Sequence, residues 1–287
     1  MTTICICGAG TMGSGIAQVS ATAGFRTILY DVKEESLQMA KSRIHNDLNK
    51  LTDKQKISVE KKEDILRLLN YTSEIHHCRA DIIIEAVLEK PEVKVSLFNQ
   101  LAGFNSDKTI FASNTSSLSV SALATEIFEP SRVAGLHFFN PAPIMKLVEV
   151  VKANQTSPEV IDTLITLTKK MGKTPVVCKD SPGFIVNRVA RPFYIESLRL
   201  VEEGIADFDT IDSLLEKQGF KMGPFKLMDL IGNDINFAVS CSVYDQLNKP
   251  ERLKPSPIQQ EKVERGELGK KTGTGYYQYN DKPKSNS

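Results

Sequence analysis

Short apolar runs alternate with amphipathic segments through the first half of the chain. "TICIC" (3–7) reads as a strand, "MGSGIAQVSATAG" (12–24) as a helix ending at a glycine, and "RTILYD" (26–31) as a second strand. Further strands are expected at "DIIIEAV" (81–87), "TIFAS" (109–113), "RVAGLHF" (132–138), "LVEVV" (147–151) and "PVVC" (175–178). The alternation predicts an α/β unit built on a mostly parallel sheet. Between Lys33 and Asn70, leucines and isoleucines recur at helical spacing in a charged region. Two helices joined around "LTDKQK" (51–56) are expected there. A simple crossover needs one helix, so the pair reads as a helical-hairpin insertion with a purpose of its own.

The pattern changes at "KDSPGF" (179–184), where proline and glycine mark a domain boundary. "IVNRVARPFYIESLRLVEEG" then reads as one long helix kinked at Pro192, with Leu198, Val201 and Ile205 on a helical stripe. The expected division is a sheet domain over residues 1–183 and an all-α domain over residues 184–287.

A length of 287 residues agrees with roughly two domains of about 150 residues. A formal net charge of +1 argues against a nucleic-acid footprint. Cys5, Cys7, Cys78, Cys178 and Cys241 form no C-x-x-C pair, which suggests a reducing compartment. Cys5 and Cys7 share one face of their strand and read as small core residues. No run approaches the ~20 apolar residues of a membrane span. A strand beginning at residue 3 leaves no room for a signal peptide, so a cytoplasmic protein is expected. No metal site is expected.

Candidate chemistry begins with "CGAGTMGSG" (7–15), a G-x-G-x-x-G loop between a strand and a helix. Gly8 permits the tight turn, Gly10 admits a pyrophosphate, and Gly13 lets helix pack on strand. Thr11 and Met12 complete the loop, and its backbone N–H groups face the phosphates. Asp31 ends the second strand 18 residues after Gly13, placed to accept from a ribose and repel a 2′-phosphate. NAD is the expected cofactor; FAD also fits the fingerprint, and Lys33 weakens the exclusion of NADP.

Glu149 interrupts an apolar strand, and His137 follows another. An isolated buried carboxylate is costly, whereas a charged histidine beside it offsets that cost. Histidine suits the proton transfer that accompanies hydride transfer, and a carboxylate on its far nitrogen fixes the tautomer. "ASNTSSLS" (112–119), "HFFNP" (137–141) and "PGFIVNR" (182–188) supply polar groups beside them. Each feature also has a plain structural reading: a core histidine, a solvent-facing glutamate, a helix cap in "SNTSS", a helix-start asparagine.

The chain resembles the short-chain (S)-3-hydroxyacyl-CoA dehydrogenases, including bacterial 3-hydroxybutyryl-CoA dehydrogenases. The likeness runs through "GAGTMGSGIAQ", "SNTSSLS", "HFFNPAPIMKLVEVV", "SPGFIVNR", "MGPFKLMDLIG" and "GELGKKTGTGYYQY", nearly the whole chain. It implies a Rossmann-type domain followed by a helical domain that carries substrate contacts and the homodimer interface. It implies a catalytic pair at His137 and Glu149, with Ser116 and Asn187 contacting an acyl-CoA substrate. Nicotinamide-side contacts fall on Glu89, Lys94 and Asn140; on the residues alone, Glu89 is a helix-start acid and Lys94 a solvated lysine. The helical insertion is implied to contact coenzyme A, best through Lys50 and Lys54, with Ser42 or Lys56 as helpers. A lysine run of this kind also suits a solvated helix face.

Three rivals stand beside this expectation. A dehydrogenase of free hydroxyacids shares the glycine loop but uses a different catalytic residue. A relative recruited as a lens crystallin needs no catalysis. A 3-hydroxyadipyl-CoA dehydrogenase would meet a terminal carboxylate, for which Arg191 is the candidate, although an arginine there also reads as an exposed helix residue.

Overall fold

The structure, a computed structural model, describes residues 2–279. Its contacts divide the chain into two units, Met1–Ser181 and Pro182–Ser287.

The first unit is built on one sheet. Its strands are β1 (Thr3–Cys7), β2 (Arg26–Tyr30), β3 (Leu69–Thr72), β4 (Ile82–Glu85), β5 (Ile110–Ser113), β6 (Val133–Phe138), β7 (Leu147–Lys152) and β8 (Thr174–Lys179). Their spatial order is β3-β2-β1-β4-β5-β6-β7-β8. Every neighbouring pair is parallel except β6 and β7. The order reverses between β1 and β4, which opens a crevice at their carboxyl ends, the usual ligand position in such sheets.

Side-chain alternation sorts the sheet into two faces. Ile4, Ile6, Leu136, Phe138, Val148 and Val150 enter one large core. Helices α1 (Thr11–Thr22) and α6 (Pro158–Lys170) add Ile16, Ala17, Leu164 and Leu167 to it. Cys5 and Cys7 point the other way, both fully buried, with sulfurs 3.9 Å apart. In β6 and β7 the opposite face carries Gly135, His137, Glu149 and Val151. The strand that looked uniformly apolar around Glu149 therefore sends its acid away from the large core.

The insertion comprises α2 (Glu34–Asp53) and α3 (Val59–Arg67). Helix α2 runs further than the sequence pattern suggested, through Asp53, and within its last turn Thr52 Oγ1 donates to the Leu48 carbonyl at 3.0 Å. Ser58 begins α3 by accepting from the Lys61 N–H at 3.1 Å. Strand β3 was not expected: "LNYT" is short, follows α3 directly, and buries only Leu69. Helices α4 (Pro91–Ala102) and α5 (Val120–Thr125) complete this unit.

The second unit is helical: α7 (Val186–Glu202), α8 (Phe208–Lys217), α9 (Pro224–Ile231), α10 (Asn233–Gln246) and α11 (Pro257–Glu264). Pro192 lies inside α7, where it cannot donate to the preceding turn. Leu198 is buried, but Ile205 lies beyond the end of α7 and is exposed, so the expected stripe stops short of it. Phe225 and Met228 of α9 fill the unit's own core. Asp229 accepts from the backbone N–H groups of Tyr276 and Tyr277, each at 3.0 Å. A Cβ on Gly275 would fall 2.0 Å from Asp229 Oδ1, which accounts for glycine in "GTGYYQY".

Candidate active site

The glycine loop joins β1 to α1 at the point where the strand order reverses. Gly8 has φ +104°, and a Cβ there would meet the Ala86 carbonyl oxygen at 2.5 Å. A Cβ on Gly13 would lie 1.7 Å from the Gly8 carbonyl oxygen. Both positions require glycine, whereas Gly10 faces open space. Thr11 and Met12 form the first turn of α1 behind it. Asp31 braces the loop: Oδ2 accepts from the Ala9 N–H at 2.8 Å and Oδ1 from the Lys33 N–H at 2.9 Å. A carboxylate has about four acceptor sites, so capacity for a ribose hydroxyl remains. A cavity of about 390 Å³ lined by Gly8, Tyr30, Asp31, Val32, Val87 and Val93 lies alongside. These residues fit an adenosine and pyrophosphate.

Beside this loop, Lys94 is 1% exposed, which excludes a solvated lysine. Its ammonium bonds Glu85 Oε1 at 2.6 Å and Glu89 Oε2 at 2.9 Å. Glu85 also accepts from Ser113 Oγ at 2.6 Å and the Val87 N–H at 2.7 Å. Glu89 Oε1 accepts from Thr115 Oγ1 at 2.5 Å, the Ser116 N–H at 3.0 Å and Ser117 Oγ at 3.2 Å. One buried lysine thus links the end of β4 to the "SNTSS" loop. Burial pushes the Glu85 carboxyl up, partly offset by Lys94. Burial also pushes Glu89 up, but Lys94 and the hydroxyl and N–H donors outweigh it and hold that carboxyl below its usual range.

Strands β6 and β7 set His137 opposite Glu149 in register. The imidazole Nδ1 lies 2.7 Å from Glu149 Oε2. His137 is 6% exposed and Glu149 0%. A solvent-facing glutamate is therefore excluded, and the twelve-residue separation is the span of an antiparallel connection. With Glu149 ionised, Nδ1 carries the proton and Nε2 is the basic nitrogen. On the adjacent strand, burial first, then the charges of Glu149 and Asp180, push the Cys178 thiol up to about 12.

Two polar loops of the same unit follow β5 and β6, the second of them directly after His137 and Phe138. Ser116 is half-buried in the loop after β5. The cap of α5 lies outside "SNTSS": Ser119 Oγ accepts from the Ala122 N–H at 3.1 Å and donates to Asp180 at 2.7 Å. Asn114 Oδ1 accepts from the Phe138 N–H at 2.8 Å, tying that loop to β6. Asn140 is exposed in the connection after β6, before a cis bond to Pro141.

In the second unit, Asn187 lies in the first turn of α7, and its carbonyl accepts from Arg191 Nε at 3.0 Å. Arg191 is 3% exposed, contrary to an exposed helix residue. It also donates to the Asn236 carbonyl at 3.0 Å and Ser240 Oγ at 2.8 Å, with its guanidinium over the Tyr194 ring. Burial lowers its pKa to about 10. Lys50 and Lys54 are exposed at the end of α2, where cations also suit the helix dipole. Ser42 and Lys56 are exposed nearby in sequence.

Glu85 was not among the residues expected at the site. Its signal was present, since an acid ends the apolar run "IIIE" as Asp31 follows "TILY". Among the described residues no cluster of three or more metal-ligating side chains occurs.

Residues 3–181 match the family "3-hydroxyacyl-CoA dehydrogenase, NAD binding domain", and residues 183–279 match "3-hydroxyacyl-CoA dehydrogenase, C-terminal domain". The chain is 49% identical over 279 residues to the 3-hydroxyadipyl-CoA dehydrogenase of Escherichia coli, covering 96% of this chain and 59% of that protein. It is 40% identical over 285 residues to the mitochondrial hydroxyacyl-coenzyme A dehydrogenase of Sus scrofa, covering 96% of this chain and 90% of that protein. The crystal structure of (S)-3-hydroxybutyryl-CoA dehydrogenase from Ralstonia eutropha matches with a TM-score of 0.94 at 35% identity, covering 98% of this chain and 100% of that one. The chain thus spans less than two thirds of the Escherichia coli relative but nearly all of the Ralstonia protein. It belongs to the 3-hydroxyacyl-CoA dehydrogenase family, and its sheet unit is that family's NAD-binding domain.

Proposed function

We propose that the chain catalyses the reversible oxidation of an (S)-3-hydroxyacyl-CoA to a 3-ketoacyl-CoA. The observation that carries this reading is the buried His137–Glu149 pair, 2.7 Å apart, in the unit that holds the dinucleotide loop. NAD⁺ held at the glycine loop and Asp31 would supply the acceptor for the hydride that leaves C3 of the substrate. His137 Nε2 takes the hydroxyl proton in that direction and returns it in reduction. Glu149 holds the ring orientation and stabilises the imidazolium. Ser116 and Asn187 hydrogen-bond the reacting oxygen, and Glu89, Lys94 and Asn140 serve the nicotinamide side. Lys50 and Lys54 attract the coenzyme A phosphates.

A homodimer formed through the helical unit belongs to the same reading, as does a division of labour between residues 1–183 and 184–287. No helix among the described residues is long and apolar enough to cross a membrane. A cytoplasmic location accords with the reading. The test compares NADH oxidation with acetoacetyl-CoA and with free acetoacetate. Turnover of the thioester alone is expected; preference for the free acid overturns the assignment.

One observation favours a dicarboxylic substrate such as 3-hydroxyadipyl-CoA. Arg191 is a buried cation with no ion pair to a carboxylate among the described residues, one helical turn from Asn187. The Escherichia coli relative carries that substrate in its name. On this reading kcat/KM for 3-ketoadipyl-CoA exceeds that for 3-ketohexanoyl-CoA at least tenfold, and Arg191→Met removes the difference. Equal values in the unmodified protein would discard it.

A further inference from the structure

The connection from β6 to β7, residues 139–146, joins the two strands that carry the histidine and the acid. It also carries Asn140. Its tip exposes Ile144 and Met145, which supply little packing to hold it. Two contacts fix its base instead. On one side, Ala142 and Pro143 press against α1: a Cβ on Gly15 would stand 3.2 Å from Ala142 Cβ and from Pro143 Cδ. On the other side lies Lys173, the residue before β8, which is 8% exposed. Its ammonium donates to the carbonyls of Ala142 at 2.5 Å, Met145 at 2.8 Å and Pro143 at 3.3 Å.

Lys173 makes no ion pair with a carboxylate among the described residues. Burial first, then the nearby charge of Lys146, lowers its pKa. A buried cation without a counter-ion is costly unless oriented dipoles offset it. Here three carbonyls of one connection converge on it, and a neutral core residue would leave them without a common donor. A lysine kept at that cost holds the connection in one place.

We propose that Lys173 is a positioning residue for the reaction, clamping residues 142–145 so that Asn140 stands in fixed relation to the dinucleotide loop and the His137–Glu149 pair. The inference rests on the functional reading above. The ammonium's three bonds go to residues 142, 143 and 145 and to none of Gly8, Gly10, Gly13 or Asp31. Misplacement of about 1 Å at a reacting centre costs on the order of 100-fold. Lys173 therefore acts on turnover more than on cofactor binding.

The test is Lys173→Met, which keeps side-chain reach and removes the ammonium. Its kcat with acetoacetyl-CoA and NADH is expected to fall ten- to a hundredfold. The NADH Kd, followed by fluorescence, is expected to change less than threefold. Lys173→Gln, which retains one donor, is expected to fall between the two proteins and carries the same comparison if the methionine variant does not fold. Both are assayed well below their measured Tm, so that loss of folded protein does not mimic loss of turnover. A folded variant whose kcat stays within twofold of the unmodified protein overturns the clamp. An unmodified protein that does not turn over acetoacetyl-CoA overturns the functional reading instead.

Discussion

Glu149→Gln isolates the charge of the acid while preserving its volume. The carboxylate is fully buried and lies 2.7 Å from Nδ1 of His137. A hydrogen bond to a charged partner contributes about 1.5–3 kcal/mol. If that stabilisation is expressed when the imidazole becomes charged, at 1.36 kcal/mol per tenfold it corresponds to about 10- to 150-fold in kcat. An amide that turns its NH₂ toward Nδ1 would force the proton onto Nε2. That tautomer cannot act as a base toward the substrate, and the loss then approaches ~10⁴-fold. Stopped-flow and steady-state reduction of NAD⁺ by (S)-3-hydroxybutyryl-CoA, the direction in which His137 acts as base, measure the change, and NADH fluorescence is expected to give an unaltered Kd. Cys178 reports independently that the charge has gone. Its thiol is held up to about 12 by burial and then by Glu149 and Asp180, so labelling by a disulfide reagent at pH 8 should be faster in the variant. A variant with faster labelling but kcat within threefold of the unmodified protein would refute the role given to Glu149.

Asp31→Ser removes the carboxylate that accepts from Ala9 and Lys33. NADH Kd is expected to rise about tenfold or more, from loss of a charged hydrogen bond, while binding of NADPH improves relative to NADH. Calorimetry with both cofactors checks this. Lys94→Met leaves Glu85 and Glu89 without their shared cation, and breaking such a pair costs about 3–5 kcal/mol in urea unfolding. The pH dependence follows from Glu89, whose folded pKa is lowered. Its contribution is present above the unfolded value of about 4.3 and is lost as pH falls through the lower folded value. Without Lys94 that contribution shrinks, so circular dichroism should show acid unfolding at higher pH. Lys54→Ala is expected to raise KM for acetoacetyl-CoA, with a smaller change for a pantetheine-truncated substrate; equal changes would argue against a phosphate contact.

The sheet was legible because its strands are short apolar runs bounded by turns, and the glycine loop because its steric demands allow no other residue at Gly8 or Gly13. Strand β3 was not, since four residues with one buried side chain carry no alternation. Glu149 was visible as an anomaly, but apolar neighbours on both sides of it concealed that the two faces of β7 differ. Its pairing with His137 depends on β6 and β7 running antiparallel, which spacing alone does not specify. Lys94 looked like any lysine near a helix start. Only the fold brings Glu85 and Glu89 to it, from nine and five residues away along the chain. Arg191 and Lys173 were opaque for the same reason: their partners are largely backbone carbonyls, whose positions no residue letter encodes.

In the proposed reaction the His137–Glu149 pair performs acid–base chemistry on a 3-ketoacyl or 3-hydroxyacyl thioester. The most direct measurement is kcat for acetoacetyl-CoA reduction by NADH in the unmodified protein and in His137→Gln. General acid–base catalysis typically supplies 10²–10⁴-fold. A loss in that range is expected, with NADH binding unchanged. Turnover in His137→Gln close to that of the unmodified protein would contradict it.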